Sequence, residues 1–333
     1  MAAGEVGPRP VYVAGRGAGP GDNGAVSAAP DVESRWRPGR PVDVLGTLGT
    51  LVRGSGDPTH RRLPDGGLWR TCRTPAGQAS LHLVARGDEV VASAWGPGAA
   101  WAVDGVPDLL GGSDDDDGFA PTHPLLRELW RRRPGWRVPR TRLVMEALVP
   151  AIIEQKVTGH EAFGGYRRLV RRFGEVAPGP AGEAGMRVAP SAEQWARVPS
   201  WEWLQAGVDG KRSAAVVRAA QRAGRLEQTL GLPADEVERR LRSLPGIGVW
   251  TAAEVRQRAH GDADAVSFGD FHVPSQVGVA LTGEPVDDDG LAALLEDYRP
   301  HRYRVQRLLE LTGIQRPRRG PRMSPRTHLP TTG

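Results

Sequence analysis

Cysteine is almost missing from this chain of 333 residues, because Cys72 is the only one. A single thiol cannot form a disulfide within the chain. It also cannot supply the ligands of a four-cysteine zinc site or of a cysteine-bound iron–sulfur cluster. The sequence therefore excludes disulfide scaffolds and cysteine-ligated metal centres of these kinds.

Long apolar runs are missing as well. No stretch approaches the ~20 apolar residues of a membrane helix. The first residues contain Gly and Pro where a secretion signal needs an apolar segment. We therefore expect no membrane association and a cytoplasmic location at the nucleoid. The hydrophobic content of 39% is enough for an ordinary globular core.

Lysine is scarce, since Lys156 and Lys211 are the only two, and arginine carries almost all of the positive charge. The net charge is +5 and the isoelectric point is about 9.9. The planar guanidinium group suits contacts with phosphate, which favours a nucleic-acid partner. A genome rich in G and C produces the same arginine bias, so charge alone leaves both explanations open.

Composition divides the chain into segments. Residues 1–38 are rich in Gly, Ala and Pro without apolar periodicity, which predicts a disordered tail. Short alternating apolar runs between turn residues predict a small antiparallel sheet domain over 41–112. Residues 121–315 have helical periodicity, and 316–333 form a basic tail. The predicted class is α+β, predominantly α, with the sheet domain before the helical domain.

An acidic linker over 113–120 separates the two predicted domains. Its acidic run lacks the spaced ligands of a calcium loop, so we expect a solvated connection. Strands are predicted at 68–74, 79–84 and 89–95, and helices at 123–132, 141–157, 159–173, 191–197, 212–224, 234–242, 249–260, 290–297 and 301–312. Residues 178–185 and 284–289 are predicted to be loops.

The run Leu-Pro-Gly-Ile-Gly at 244–248 is the strongest local signal. Pro245 lacks an amide donor, and Gly246 and Gly248 reach backbone conformations that other residues avoid, so the run interrupts a helix. Helical patterns flank it, and the first has acids at its start and bases at its end. A glycine hairpin between two helices places amides where they bind phosphate without reading sequence.

This hairpin, followed by Trp250 and then by Asp270, resembles that of the helix-hairpin-helix DNA glycosylase superfamily. Within it, the sheet domain and the helical domain that follows resemble the inducible type of bacterial 3-methyladenine DNA glycosylase. The resemblance covers about 41–315 and is strongest at the hairpin with Asp270, at 145–157 and at 298–302. The sheet domain matches only in position and character.

The resemblance implies a catalytic role for Asp270. Cleavage of a bond between base and deoxyribose develops positive charge on the sugar, which a carboxylate stabilises while it orients or deprotonates water. Taken alone, an aspartate after glycine is typical of a turn or helix cap. Trp250 stands where lyase members carry a lysine, so the resemblance implies a hydrolase without strand scission. Trp250, Glu254, Phe271 and Glu310 fall at base-pocket positions.

Two of these positions depart from the family, because aromatic side chains are expected where Glu254 and Glu310 stand. If they face the pocket, bulky or cationic lesions become the favoured substrates; the alternative is that both are solvated helix positions. Lys156 stands at the wedge position that fills the gap left by a flipped nucleotide. A flexible ammonium group fills such a gap poorly, so Gln155 is a second candidate for the residue that enters the duplex.

The remaining predicted contacts concern the DNA backbone. They are Gly246, Gly248, Thr251, Lys211 and Arg212 for phosphate, and the carbonyls of Arg242, Leu244 and Ile247 for a monovalent cation, Na⁺ or K⁺, that the resemblance implies at the hairpin. No other cofactor is expected.

The sequence thus favours a monomeric, monofunctional DNA glycosylase that acts on alkylated bases in double-stranded DNA and leaves an abasic site during base excision repair. One alternative is a non-catalytic protein that uses the hairpin only to bind damaged DNA. Another is a glycosylase for a different lesion class, such as an oxidised purine or uracil.

Overall fold

The computed structural model describes the backbone of residues 11–13 and all of residues 29–312. These residues form an antiparallel sheet followed by a mainly helical region. The predicted class, α+β with helix predominating, is confirmed. The predicted basic tail at 316–333 lies outside the described residues.

The large sheet has six strands in the order β1-β2-β6-β5-β4-β3, and all neighbours are antiparallel. The strands are β1 (Val11–Val13), β2 (Val32–Trp36), β3 (His60–Arg62), β4 (Leu68–Thr74), β5 (Gly77–Arg86) and β6 (Glu89–Trp95). Two-residue turns join the last three, with Thr74 opposite Gly77 and Arg86 opposite Glu89. These three confirm the predicted strands, and β5 extends beyond its predicted range at both ends.

Strand β2 corrects our prediction of a disordered tail over 1–38. It pairs with β6, from Val32 opposite Ala94 to Trp36 opposite Val90. Trp36 belongs to the same buried cluster as Leu48. The strand is short and carries charged residues, so its local sequence gives little signal, and a distant partner strand supplies its stability. Of the earlier residues of that range, only the backbone at 11–13 and residues 29–31 are described.

Three short helices cover the sheet, and none was predicted: α1 (Val44–Leu48), α2 (Ala99–Asp104) and α3 (Val106–Leu109). Leu48, Val103 and Val106 are fully buried beside Leu81 of β5 in one apolar cluster. This cluster is the core of the sheet domain.

The acidic linker is not a solvated connection throughout. The Asp114 side chain is 2% exposed, and the Arg304 side chain that it pairs with is fully buried. Two hydrogen bonds of 2.7 and 2.9 Å join the guanidinium of Arg304 to the two carboxylate oxygens, and the amide of Val138 donates a third. Our prediction was wrong for Asp114, because composition cannot show that a distant arginine will be buried against it.

The helical region contains α4 (Pro124–Arg131), α5 (Val144–Ile153), α6 (Gly159–Phe173), α7 (Pro180–Glu183), α8 (Ala192–Ala196), α9 (Ser200–Gln205), α10 (Gly210–Ala220), α11 (Ala223–Glu227), α12 (Ala234–Arg242), α13 (Val249–Val255), α14 (Val273–Thr282), α15 (Asp288–Leu295) and α16 (Arg302–Glu310). A small hairpin, β7 (Glu175–Val176) with β8 (Arg187–Val188), lies between α6 and α8. Helix α5 is central: eight of its ten residues are buried, and α6, α10 and α13 pack around it.

Several predicted helix limits change. The predicted helix at 249–260 is α-helical only to Val255, and Arg256–His260 continues as a π-helix. Helix α14 was not predicted; its Pro274 stands in the first turn, where proline is tolerated. The loop predicted at 178–185 contains α7.

Ion pairs and hydrogen bonds join the sheet domain to the helical region. Arg53 pairs with Glu154 at 2.7 Å, and Arg70 pairs with Glu146 at 2.5 Å. Arg167 of α6 donates to the carbonyl of Ser55 at 2.9 Å. Within the described residues, none of the helices combines the length and apolar character that crossing a membrane requires.

Candidate active site

The hairpin at 244–248 joins α12 to α13 as predicted. Leu244 and Ile247 are buried and anchor it, while Gly246 and Gly248 are exposed. Gly246 has φ +96°, and a Cβ there would lie 3.0 Å from the Cβ of Ala215 in α10. The position therefore needs glycine for both its backbone conformation and its close approach to α10.

Gln155 braces this hairpin from the turn after α5. Its side-chain amide donates to the carbonyl of Gly246 at 2.9 Å and to Oγ1 of Thr251 at 2.8 Å. Thr251, which we predict to contact DNA phosphate, is 2% exposed, and its hydroxyl accepts the hydrogen bond of Gln155, so its side chain does not face solvent. Lys156, next to Gln155, is exposed and has φ +55°.

Asp270 lies at the start of α14 and uses its two carboxylate oxygens differently. Oδ1 accepts the amides of His272 at 2.7 Å and Val273 at 3.0 Å, as a helix cap does. Oδ2 accepts the indole N–H of Trp250 at 3.0 Å. The aspartate is therefore both a cap and a candidate site residue, and three donors fix its orientation.

Asp270 lines a cavity of about 170 Å³ between α13, α14 and α16. The lining residues are Thr50, Glu154, Trp250, Glu254, Gln257, Arg258, Ser267, Asp270, Val273, Tyr303, Gln306, Arg307 and Glu310. Three of the four predicted pocket residues, Trp250, Glu254 and Glu310, thus stand around the same space as Asp270. The cavity is polar, with few apolar side chains.

Glu254 and Glu310 are not solvated helix positions. Glu254 is 7% exposed, and its oxygens contact Arg258 at 2.7 Å and the Ser267 hydroxyl at 2.8 Å. Glu310 accepts hydrogen bonds from Gln306 and Arg307, both at 2.8 Å. Both carboxylates are held in place on the cavity wall.

Phe271 does not belong to this wall, which corrects our prediction. Its side chain is 90% exposed and contacts the ring of His272 edge-on. Neighbouring positions in the turn before α14 point in different directions, so adjacency to Asp270 in sequence does not place Phe271 in the cavity.

Arg212 is also placed differently from our prediction. It is buried and donates to the carbonyls of Ile153 and Gly207 and to the carboxylate of Asp209, so its guanidinium is not available for phosphate. Lys211 is exposed at the same helix start. The two neighbours differ because one faces α5 and the other faces outward.

The cation predicted at the hairpin depends on backbone carbonyls. The Leu244 carbonyl accepts the Ile247 amide at 3.1 Å, which leaves one of its two lone pairs for an ion. Neighbouring carbonyls have other partners, because Arg218 donates to Pro245 and Gln155 donates to Gly246. A Na⁺ or K⁺ held by Arg242, Leu244 and Ile247 stays a prediction.

Arg258 is the main site residue that sequence reasoning missed. It follows Glu254 by four residues, a helical spacing that could have indicated the pair. Its guanidinium also donates to the Thr50 carbonyl of the sheet domain at 3.1 Å. Carboxylates around it raise the pKa of Arg258, against the opposing effect of burial, so it stays charged. Burial raises the pKa of Tyr303 to about 12, so this phenol stays neutral.

Glu154 lines the cavity from the end of α5 and was not predicted either. Burial raises the pKa of its carboxyl, and the neighbouring Arg53 opposes that change. Arg53 Nε lies 2.7 Å from the Glu154 carboxylate, which is an ion-pair distance, although the two atoms are not aligned as a hydrogen bond.

No family model matches the chain. Its sequence is 27% identical over 299 residues to the probable bifunctional transcriptional activator/DNA repair enzyme AlkA of Mycobacterium tuberculosis, in strains CDC 1551 and H37Rv. Among solved structures, a 3-methyladenine DNA glycosylase from Archaeoglobus fulgidus has a TM-score of 0.70 at 18% identity, with 83% of this chain and 96% of that chain covered. An 8-oxoguanine glycosylase/lyase from Clostridium acetobutylicum has a TM-score of 0.61 at 13% identity, with 84% and 95% covered.

The chain has the fold of the helix-hairpin-helix DNA glycosylases. The sequence match covers 85% of the chain but only 58% of the length of the curated relatives. In this fold the hairpin leads directly into α13, and Trp250 of α13 lines the same cavity as Asp270.

Proposed function

We propose that this protein is a monofunctional DNA glycosylase that hydrolyses the N-glycosidic bond of alkylated bases in double-stranded DNA. The product is an abasic site for base excision repair. The observation that carries the proposal is Asp270, a fixed carboxylate on a cavity next to a hairpin suited to phosphate. The names of the similar proteins, a DNA repair enzyme and a 3-methyladenine DNA glycosylase, support it.

The chemistry follows from the position of Asp270. As the bond to the base breaks, positive charge develops on the deoxyribose, and a nearby carboxylate lowers the barrier electrostatically. The amides of His272 and Val273 and the indole of Trp250 hold the carboxylate before the substrate arrives. Water then adds at the sugar carbon, and Asp270 orients it or accepts its proton.

Hydrolysis, without strand scission, is favoured by the absence of a lysine from the cavity. A lyase needs an amine that forms a Schiff base with the sugar. Trp250 lines the cavity, whereas Lys156 and Lys211 do not. We expect no covalent enzyme–DNA adduct after borohydride reduction.

The groups proposed to bind DNA are the exposed hairpin glycines and two exposed lysines. Gly246 and Gly248 present backbone to a phosphate, and the exposed ammonium groups of Lys156 and Lys211 add positive charge. Lys156 is exposed in the turn after α5, and it stands at the position from which the resemblance implies that a side chain fills the gap left by a flipped nucleotide. The proposed enzyme acts as a monomer.

Replacement of the central carboxylate tests the proposal. In Asp270→Asn we expect release of 7-methylguanine from methylated duplex DNA to fall by at least about a hundredfold, ~2.7 kcal/mol of barrier, because the negative charge is lost. DNA affinity should stay within about twofold. Base release is measured by mass spectrometry under single-turnover conditions.

Asp287→Asn is the matched control, because Asp287 also caps a helix, α15, by accepting the amide of Gly290 at 2.9 Å, but it does not line the cavity. Unchanged release from Asp270→Asn would refute the assignment of the catalytic carboxylate. DNA binding by the unaltered protein without release of any base would favour the non-catalytic alternative.

A further inference from the structure

Six of the thirteen side chains that line the Asp270 cavity are of charged types. Its carboxylates are Glu154, Glu254, Asp270 and Glu310, its guanidinium groups are Arg258 and Arg307, and its aromatic members are Trp250 and Tyr303. Glu154 pairs with Arg53, which stands just outside the lining, at 2.7 Å, so the charges of these two offset each other. Glu254 pairs with Arg258 at 2.7 Å and Glu310 pairs with Arg307 at 2.8 Å, so the excess over the whole lining is the one negative charge of Asp270.

The side-chain donors of Ser267, Gln306 and Gln257 on this wall already have partners, whereas Arg307 Nε is buried without one. The Ser267 hydroxyl donates to Glu254, and the side-chain amide of Gln306 donates to both Ser267 and Glu310. The side-chain amide of Gln257 donates to Ser267 and to the Ala265 carbonyl. A chain of hydrogen bonds therefore links the two glutamates and fixes them. Each carboxylate keeps lone pairs free for a bound base, because it has about four acceptor sites.

Charge on the departing base decides how such a wall affects the reaction. When the bond between the sugar carbon and the base nitrogen breaks, its electron pair goes to the base. A base that is quaternised before cleavage leaves as a neutral molecule, whereas a neutral base leaves as an anion unless it gains a proton. Water adds to the sugar cation and loses its proton to Asp270 or to solvent in both cases. An anion that forms in this cavity is repelled at short range by that excess negative charge in a site of low dielectric constant. Glu254 and Glu310 also offset the guanidinium groups of Arg258 and Arg307, which would otherwise attract such an anion.

We propose that Glu254 and Glu310 are specificity-determining residues that restrict the enzyme to bases already carrying a positive charge and exclude neutral damaged bases. This inference rests on the proposed glycosylase function. An aromatic wall would stack on either kind of base, so selectivity by charge is a consequence of carboxylates at these two positions. The cavity of about 170 Å³ also leaves little room for a large substituent inside it.

Two duplexes that differ in one base test the inference. One carries 7-methylguanine, which is cationic, and the other carries hypoxanthine, which is neutral, at the same position. Each release rate is divided by the spontaneous rate without enzyme, which corrects for the greater lability of the cationic bond. For the unaltered protein we expect the acceleration to be at least about a hundredfold larger for 7-methylguanine.

In Glu310→Gln the ratio of the two accelerations should fall by about tenfold, since one negative charge leaves the wall while the amide keeps an acceptor for Gln306. Glu193→Gln is the matched control, because this glutamate is exposed, pairs with Arg197 and does not line the cavity. If circular dichroism shows that Glu310→Gln does not fold, the same ratio is measured in Glu254→Gln.

Equal accelerations of both bases by the unaltered protein would overturn the inference and leave the glycosylase function standing. A ratio in folded Glu310→Gln equal to that of the unaltered protein would also overturn it. Release of neither base would refute the proposed function itself, and with it this inference. A ratio that falls in Glu310→Gln but not in Glu193→Gln supports it.

Discussion

At the scale of single residues, the site depends on how the Asp270 carboxylate is held. Two amides at the start of α14 hold Oδ1, and the indole of Trp250 holds Oδ2. These donors are in place before substrate binds, which is the condition for efficient electrostatic stabilisation. In the proposed mechanism Trp250 therefore acts through Asp270 as well as by lining the cavity.

Trp250→Phe removes the indole donor and keeps an aromatic ring. We expect base release from 7-methylguanine DNA to fall by roughly tenfold, ~1.4 kcal/mol, because one hydrogen bond no longer orients the carboxylate. Single-turnover kinetics at saturating enzyme separates this effect from substrate binding, which should change little. Trp201→Phe is the control, since Trp201 is 60% exposed and outside the cavity. An unaltered rate constant in Trp250→Phe would contradict a positioning role.

At the scale of elements, the hairpin is supported from two sides. Gln155, after α5, donates to the Gly246 carbonyl, and Arg218 of α10 donates to the Pro245 carbonyl. The close packing of Gly246 against Ala215 adds a steric limit. The loop that is expected to bind phosphate is thus a rigid part of the helical region.

Gly246→Ala tests that rigidity. An alanine at φ +96° is strained, and its Cβ would crowd Ala215 at 3.0 Å, so the free energy of unfolding should fall by about 1–3 kcal/mol. Affinity for undamaged duplex DNA should weaken as well, because the hairpin backbone must shift. Urea unfolding and a salt-dependent binding assay measure the two effects.

Gly224→Ala in α11 is the comparison for this prediction. Space around Gly224 is open, and it has an ordinary helical conformation, so alanine should stabilise the protein by roughly 0.5–1 kcal/mol. Equal effects of the two substitutions would show that Gly246 has no special constraint.

At the scale of the whole molecule, the sheet domain takes part in the site. Thr50 lines the cavity, its carbonyl accepts from Arg258, and Arg53 pairs with Glu154. The buried pair of Asp114 and Arg304 ties the segment between the domains to α16, the helix that carries Glu310. The two domains are therefore one structural unit around the cavity.

Stability of this unit should decline in mild acid because of His260. Burial lowers the pKa of His260 to about 4, whereas an unfolded histidine has a pKa of ~6.5. Between these values the unfolded chain binds a proton that the folded chain does not, so stability falls as pH falls through that window. Burial lowers the pKa of His82 and His301 in the same direction. We expect His260 to contribute a loss of about 1–3 kcal/mol between pH 6.5 and pH 4.

Urea unfolding of His260→Gln at several pH values checks this expectation, because glutamine does not titrate and can still reach Thr229, which contacts His260 at 3.1 Å. The decline with falling pH should be shallower than in the unaltered protein. His160→Gln, at an exposed position, is the control. Parallel declines in His260→Gln and the unaltered protein would contradict the assignment.

Much of the fold could be predicted from local sequence. The central strands, the long helices and the hairpin have patterns that repeat within a few residues, so their physical cause is local. Strand β2 and the buried Asp114 were missed, because their partners, β6 and Arg304, lie far away in sequence. Helix α14, which has a proline in its first turn, was not predicted.

The sequence by itself determined the class of the fold, the hairpin and the position of Asp270 after it, since each depends on residue types at short spacing. Only the tertiary structure decided which side chains meet: it put Glu254 and Glu310 on one cavity wall, turned Phe271 to solvent and buried Arg212 against α5. The physical reason is that burial and charge pairing depend on contacts between distant segments, and a neighbour in sequence does not fix them.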